Sequence, residues 1–354
     1  MRYTAIDSLE PGHILAKNIY ASDGRTLLSK GVHLTVGMIN QLRRVGVQML
    51  YIENQYTEDI IIQDVVSDET RRMIMTNMAV AIQSVQGGKD INVKDINQTV
   101  NSVIDEISKN KEVLLHLTDV RTHDNKLFIH SQNVCILSTL IGVRMGLTPA
   151  QLKDLAIGAL LHDLGKAVDE EKLNAINDPR SPFYNKEGSN DHTWVGFNLL
   201  RKRHDISVIA AQIPLQHHER IDGSGYPRGI DGSEMHILAK IVAIANHYDD
   251  LISNIDHQPM LPHDACEVIM GLADKHFDHD IVIKFLESVA VYPTGSSVLL
   301  TNGETGFIVE QHSGLPTRPI VRVVKKGSAG DDDPEVFEID LAKEITVFIK
   351  KVLS

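Results

Sequence analysis

The amino-acid sequence predicts a mainly α-helical protein, in which a helical bundle lies between a small N-terminal α/β module and a short β-rich C-terminal segment. Three patterns support this fold class. Apolar residues recur at helical spacing through residues 111–292. Residues 1–56 mix short alternating runs with one helical pattern, and residues 293–354 alternate as strands do. A chain of 354 residues is long enough for two or three domains.

Residues 1–56 form the predicted α/β module. Turn signals at Pro11-Gly12 and Asp23-Gly24 divide its short strands. The pattern predicts a helix in VGMINQLRRVGV and then a strand in MLYIE. We find no cluster of catalytic or metal-binding residue types in this module.

Residues 57–110 are predicted to be a helical connector that is interrupted near Gly87-Gly88. Two roles fit the pattern. The favoured role is plain scaffold between the module and the bundle, and the other is a stalk through which two copies form a homodimer. The apolar positions that suggest either role are Met73, Met75, Met78, Val80 and Ile82.

Residues 111–292 are the predicted bundle, where helix follows helix with few strand signals. Residues 293–354 contain four predicted strands, and a hairpin turn at Asn302-Gly303 joins the first two. An acidic loop, GDDDPE, separates the last two strands and is expected to be solvated. The strands are predicted in SSVLLT, GFIVEQ, PIVRVV and VFEIDL.

Composition places the chain among ordinary cytoplasmic globular proteins. Hydrophobic residues make up 42% and charged residues 23%. No stretch approaches the roughly 20 apolar residues that span a bilayer, and the first residues lack a signal-peptide pattern, so we expect no membrane partner. Cys135 and Cys266 lie in apolar helical patterns and are expected to be buried reduced thiols. A net charge of -12 argues against general nucleic-acid binding, but not against a small phosphate-bearing ligand.

Histidine is unusually concentrated in the bundle, where ten of the seventeen histidines lie from His130 to His263. Any one histidine beside an apolar helix is more simply a hydrogen-bonded packing residue, and seven others are assigned to that role. The remaining set sits against long apolar runs, where unpaired polar groups are costly, so as a set it favours metal binding. The seven packing histidines are His204, His236, His247, His257, His263, His276 and His279, and the candidate metal-binding set is His130, His162, Asp163, His192, His217 and His218.

Imidazole and carboxylate groups are ligands for Fe, Mn and Zn. A helical bundle binds paired metals by directing such groups inward from facing helices. The adjacent pair His162-Asp163 can direct both side chains at one cluster, with the carboxylate bridging two ions. Two divalent ions can activate water and stabilise negative charge on a phosphoryl oxygen. The pattern therefore indicates metal-assisted phosphoryl chemistry.

The motifs LLHDLGK around His162, His130-Ser131, His192 and above all HHERIDGSGYPRG from His217 to Gly229 resemble the HD-GYP family. That family is the cyclic di-GMP phosphodiesterase branch of the HD metal-dependent phosphohydrolases. The resemblance covers about residues 111–290, and its signature is long and specific. It implies an HD-domain-type helical bundle for the core.

The resemblance also implies roles for particular residues. By this resemblance, Asp163 is expected to be a catalytic residue that bridges two ions. Lys166 is expected to be a catalytic cation that faces the substrate phosphate. The signature loop resembles a substrate-binding loop, in which glycines give backbone freedom and proline adds stiffness. The other interpretation of the loop is a turn that only ends a helix. The implied loop residues are Asp222, Gly223, Gly225, Tyr226 and Pro227, and the implied metal ligands are His130, His162, Asp163, His192, His217, His218 and Asn246.

Three positions depart from the family pattern. Asn246 stands where the last metal-binding aspartate is expected, and a neutral amide should weaken one of the two sites. Asp250 shares the helix face of Asn246 and is a possible substitute, although Asp249 and Asp250 are more simply read as exposed acids. Lys126 stands where some members carry a glutamate for a third metal, so we expect at most two ions. The basic and aromatic stretch that usually follows is missing from SNIDHQPMLPHDA.

We therefore expect a metal-dependent enzyme that hydrolyses cyclic di-GMP to pGpG, GMP or both, with two divalent ions of the Fe, Mn or Zn type. The alternative is a catalytically weak or inactive cyclic di-GMP sensor that signals to a partner protein through its flanking modules. Asn246 is the residue that discriminates between them, because replacing it with aspartate should increase turnover modestly in an enzyme and from almost nothing in a sensor.

Overall fold

A computed structural model describes residues 1–21, 23–60, 62–117, 119–168, 192–253, 259–325 and 334–353. It confirms the predicted fold class, with a mainly α-helical centre and a β-rich C-terminal segment. His257 and most of the acidic loop 330–335 lie outside the described residues. The same is true of part of the stretch 253–265.

Ten α-helices occur in the part of the chain that the structure describes, and the bundle contains nine of them. They are α1 (Val36–Arg44), α2 (Asp68–Gln86), α3 (Val93–Lys109), α4 (Lys126–Arg144), α5 (Pro149–Leu160), α6 (His192–Arg201), α7 (Val208–Gln216), α8 (Ile237–Ile252), α9 (Pro262–Gly271) and α10 (His279–Leu286). Short 3-10 turns occur at Ile6–Ser8, Gln55–Thr57 and Leu164–Ala167.

Among the described residues, the strands form three antiparallel sheets. In the N-terminal module β1 pairs with β4, and β2 pairs with β3. At the C-terminus five strands pair in the order β8-β7-β6-β5-β9. The strands are β1 (Arg2–Ala5), β2 (Ile19–Tyr20), β3 (Thr26–Leu28), β4 (Met49–Ile52), β5 (Ser297–Leu300), β6 (Thr305–Glu310), β7 (Ile320–Lys325), β8 (Glu335–Asp340) and β9 (Ile349–Leu353).

Each part of the chain has its own apolar core, but the bundle core extends beyond the predicted boundary at residue 110. Helices α2 and α3 contribute buried side chains, among them Met78, Ile82 and Val100, to the cluster that α4, α5 and α8 also form. Of the apolar positions that suggested a stalk, Val80 is the exposed one. The domain boundaries remain predictions, and the connector helices bury most of their apolar surface inside the bundle.

Helix α4 is the most deeply buried helix of the site. By length and composition it is the one helix among the described residues that could cross a membrane, but 78% of its apolar window is buried inside the fold. Its neighbours α3, α5 and α8 pack around it. These properties are those of a core helix.

Contacts with the N-terminal module hold the segment that leads into α4. The His123 backbone N–H donates to the Val45 carbonyl at 2.9 Å. The Asn125 side chain donates to the Tyr20 carbonyl at 3.2 Å. The module therefore helps to position the first turn of α4, which directly precedes His130.

Candidate metal centre

The predicted ligands come from five separate elements that meet at one place. His130 lies near the start of α4 and Asn246 lies in α8. His162 and Asp163 follow the end of α5, in the turn before the 3-10 turn Leu164–Ala167. The other three are His192, the first residue of α6, and His217 and His218, directly after α7.

Close packing of two glycines brings α6 against the turn that carries Asp163. A Cβ atom added to Gly165 would lie 2.0 Å from the His192 carbonyl oxygen and 2.9 Å from the Gly196 nitrogen. Only a residue without a side chain allows this approach. The LHDLGK glycine therefore sets how near His192 comes to Asp163.

Replacing Gly165 by alanine should lower the free energy of unfolding by about 1–3 kcal/mol, the usual cost of forcing extra atoms into a packed core. We expect metal content to fall as well, because the turn must move away from His192. Urea unfolding and metal analysis test this. Gly37→Ala is the matched control, since a Cβ atom there meets nothing closer than 3.9 Å. An unfolding midpoint for G165A equal to that of the wild type would contradict the packing argument.

The first set of ligand atoms, the His130 group, consists of His130 Nε2, His162 Nε2, Asn246 Oδ1 and Asp163 Oδ2. The two Nε2 atoms are 3.1 Å apart. Asn246 Oδ1 is 3.0 Å from the first and 3.2 Å from the second. Asp163 Oδ2 lies 3.5 Å from both. These atoms surround a common point.

The second set, the His192 group, consists of His192 Nε2, His217 Nε2, His218 Nε2 and Asp163 Oδ1. His192 Nε2 lies 3.3 Å from His217 Nε2 and 3.2 Å from His218 Nε2. Asp163 Oδ1 is 3.3 Å from His192 Nε2 and 3.6 Å from His217 Nε2. The two oxygens of one carboxylate thus face two different sets of donors.

Three of the histidines are held in the tautomer that a metal ligand needs. The Nδ1 atoms of His162 and His217 lie 2.8 and 2.7 Å from the carbonyl oxygens of Ala159 and Pro214, so each donates its Nδ1 proton. His130 Nδ1 lies 2.7 Å from Asp249 Oδ2. A proton on Nδ1 leaves the lone pair on Nε2, which faces the centre of each group.

The protonation states suit metal binding. Burial lowers the pKa of His162 and of His217 below the ordinary value, so both imidazoles are neutral at pH 7. Burial alone would raise the pKa of Asp163, but its electrostatic interactions with His162 and with the Lys166 ammonium hold that pKa well below its usual range. Neutral imidazoles at His162 and His217 beside an ionised carboxylate fit divalent metals such as Fe, Mn and Zn.

Lys166 does not extend along the face of His162 as a continuous helix would place it. The chain turns into a 3-10 turn at Leu164, and the Lys166 ammonium donates to Asp163 Oδ2 at 2.5 Å. The Lys166 side chain is 45% exposed. A cation therefore lies at the solvent edge of the centre, beside the shared carboxylate.

The expectation that Asp249 is an exposed acid is wrong. Its side chain is fully buried, and both of its oxygens accept hydrogen bonds from the Arg121 guanidinium. It also accepts from Asn133 at 3.1 Å and binds His130 as described above. Burial opposes ionisation, but the Arg121 charge lowers the pKa of Asp249 well below its usual range. Three residues beyond Asn246, it lies one helical turn away on the same face, which was the available signal.

The signature loop is a built structure and not only the end of a helix. The buried Glu219 carboxylate accepts backbone N–H groups of Arg228 and Ile230 at 2.9 and 3.2 Å, which closes the loop. A Cβ atom at Gly225 would lie 2.4 Å from the Glu219 Cα atom, so the loop folds back tightly on itself. Glu219, which closes the loop, was not among the predicted site residues, although it lies within the HHE motif.

The closed loop brings Tyr226 to the His192 group. The Tyr226 ring stacks on the His218 imidazole with centroids 4.5 Å apart, and the Tyr226-Pro227 peptide bond is cis. Gly223 has a positive φ of 76°. The Asp222 carboxylate points back into the loop, where it accepts from the Ser224 backbone and hydroxyl. Tyr226 is therefore the loop side chain that contacts the candidate ligands.

The remaining predicted positions lie outside the two groups. His236 accepts a backbone hydrogen bond that caps the start of α8, and His247 packs on Phe277. Cys135 and Cys266 are buried free thiols, as predicted, and burial raises the pKa of both to about 12. Lys126 begins α4. Among the described residues, no histidine assigned to packing enters either group.

Two family models and several known proteins match parts of this chain. The family model described as HD domain matches residues 102–281, and a KOW domain associated with HD domain matches residues 297–354. A cyclic di-GMP phosphodiesterase of Pseudomonas aeruginosa is 29% identical over 67% of this chain and 57% of its own length. One from Thermotoga maritima is 33% identical over 50% of this chain and 48% of its own.

A 3'3'-cGAMP-specific phosphodiesterase of Vibrio cholerae is also similar, with 30% identity over 40% of this chain and 30% of its own length. The matched segments thus make up about half, or less, of these curated relatives.

Proposed function

The chain belongs to the HD-domain family, with the signature loop of its HD-GYP members, and from this membership we propose that it is a metal-dependent phosphodiesterase that hydrolyses cyclic di-GMP to pGpG, GMP or both. The relatives named as cyclic di-GMP phosphodiesterases support the substrate. The relative named for 3'3'-cGAMP makes that dinucleotide the closest competing substrate.

One observation carries the proposal. Each oxygen of the buried Asp163 carboxylate faces its own group of donors, and the Nε2 atoms of His130, His162, His192 and His217 lie 3.3–3.6 Å from it. A carboxylate in that position can bridge two ions, and no packing role explains five imidazoles directed at it. We assign one ion to the His130 group and one to the His192 group, both of the Fe, Mn or Zn type.

When bound, such ions supply a water of lowered pKa and positive charge for the phosphoryl oxygens. The chain's own residues prepare the reaction. Asp163 holds the two groups together, and the carbonyl partners of His162 and His217 fix their tautomers. Lys166 is the one of these side chains with a large exposed fraction, and it is placed to neutralise a phosphate oxygen at the solvent edge. Tyr226 offers an aromatic face beside His218 for the substrate.

The sensor alternative rests on Asn246, and its geometry favours an enzyme. The amide oxygen lies within 3.2 Å of both imidazoles of the His130 group, so the substitution leaves an oxygen donor in the position of a ligand. A neutral amide oxygen binds a transition metal less strongly than a carboxylate does. We therefore propose a weakened but occupied site.

We further infer a cytoplasmic protein that acts on a diffusible nucleotide, without general affinity for nucleic acids or membranes, as the net charge of -12 suggests. The packing of α2 and α3 into the bundle removes much of the apolar face that a dimerisation stalk would use. A homodimer and a signalling partner remain predictions, and we assign no binding surface to either among the described residues.

The test is hydrolysis of cyclic di-GMP and of 3'3'-cGAMP by protein purified without oxygen, with metal content measured on the same sample. We expect two metal ions per chain, turnover of cyclic di-GMP, and loss of both one ion and turnover in His162→Ala. The matched control is His204→Ala, because His204 is exposed and outside both groups. Wild-type protein that binds the dinucleotide without cleaving it would assign the chain to the sensor class.

A further inference from the structure

The Asn246 side chain lies between the His130 group and an acid on the next turn of α8. Its Oδ1 faces the Nε2 atoms of His130 and His162, and its Nδ2 donates to Asp250 Oδ2 at 3.3 Å. Asn246 itself is 2% exposed. Asp250 is i+4 from Asn246 on the same helix face, and its side chain is 57% exposed.

An amide has two unlike ends, and only the oxygen can bind a metal ion. If Asn246 were turned over, Nδ2 would donate to the Nε2 lone pair of His162 and would face His130 Nε2. That arrangement satisfies the hydrogen bonds of the metal-free protein and blocks the ion. A carboxylate accepts and never donates when ionised, so the contact from Asp250 opposes the turned-over amide.

We propose that Asp250 is a positioning residue of the metal centre, which keeps the Asn246 oxygen directed at the His130 group. The amide and the acid together then do what a single carboxylate at position 246 would do, since a carboxylate has a ligand oxygen in either orientation. This inference rests on the metal sites of the proposed function. It concerns the ion at the His130 group and leaves the His192 group unaffected.

The competing explanation is that Asp250 acts through its charge. Its carboxylate lies 3.9 Å from His130 Nδ1 and adds negative potential near the site. An exposed charge is largely screened by solvent, so this contribution is small. The two explanations differ in what they predict for Asp250→Ala when position 246 is an aspartate.

The experiment is competition for Zn²⁺ between the metal-free protein and a chromophoric chelator, which resolves the affinity of each ion. We expect Asp250→Ala to weaken one of the two ions by about tenfold, the lower end of the effect of losing an outer partner of a ligand. Asn246→Asp with Asp250→Ala should match Asn246→Asp alone.

Several results would overturn the proposal. The same loss from D250A in the wild-type and N246D backgrounds would show a charge effect. No loss in D250A, while the wild type binds two ions, would refute the positioning role and leave the proposed function standing. If His130→Ala bound both ions as tightly as the wild type does, there would be no metal site at the His130 group, and both proposals would fail. Asp280→Ala, at an exposed helical aspartate of α10, is the control, and thermal unfolding of metal-free variants checks their folding.

Discussion

Asp163→Asn is expected to lose one metal ion, to weaken binding of the other, and to reduce hydrolysis by about a thousandfold or more. The carboxylate is the one group shared by the His130 and His192 groups, with Oδ2 facing the first and Oδ1 facing the second. An amide presents one oxygen, so one group must face an N–H group that cannot bind an ion. Losing about 4 kcal/mol of charge stabilisation in the transition state corresponds to a factor of about a thousand.

Metal content and turnover measured on the same preparation provide the test. His130→Ala and His218→Ala should each affect one ion, whereas D163N should affect both. Asp205→Asn is the matched control, because Asp205 is half exposed and pairs with Arg203 at the surface. Wild-type metal content in D163N would rule out the bridging role.

Arg121→Met is expected to lower the free energy of unfolding by about 3–5 kcal/mol, because it leaves the buried Asp249 charge without its guanidinium partner. The Arg121 side chain is 10% exposed and that of Asp249 is not exposed at all. Asp249 also anchors His130 Nδ1, so we expect weaker metal binding at the His130 group in the same variant.

Urea unfolding of metal-free protein measures the effect of Arg121→Met on stability. Adding Asp249→Asn should recover part of the loss, because no unpaired charge then remains buried. The surface pair of Arg25 and Asp23 is the control, and Arg25→Met should change stability by less than about 1 kcal/mol. Additive losses in the R121M/D249N double variant would show that the two side chains do not act as a pair.

Much of the fold and of the site follows from local pattern. Helical spacing is a property of neighbouring residues, so α4, α5 and α8 were predictable. The strands β5 to β8 were predictable for the same reason. Strand β9 was missed because Lys350 and Lys351 are both exposed, which breaks the alternation of a strand. It forms because its backbone pairs with the open edge of β5, and this pairing leaves no pattern in the side chains of β9.

The residue types of the centre were also visible in the chain. The motifs around His162 and from His217 to Gly229 predicted a metal-binding cluster, since imidazole and carboxylate groups are the usual ligands of transition metals. The departure at Asn246 was equally plain. The direction in which its amide points was not, because that depends on contacts with α4 and with Asp250.

Only the folded structure determined which side chains pair when they are far apart in the sequence. Asp249 and Asp250 are adjacent and chemically identical, yet one is buried against Arg121, which is 128 residues away in the chain, and the other is mostly exposed. In the same way, the two oxygens of Asp163 face different groups of donors because α4, α6, α7 and α8, which are separate in sequence, meet around it. Periodicity determines which face of a helix is apolar, whereas the partner of a charge is set by packing between elements far apart in sequence.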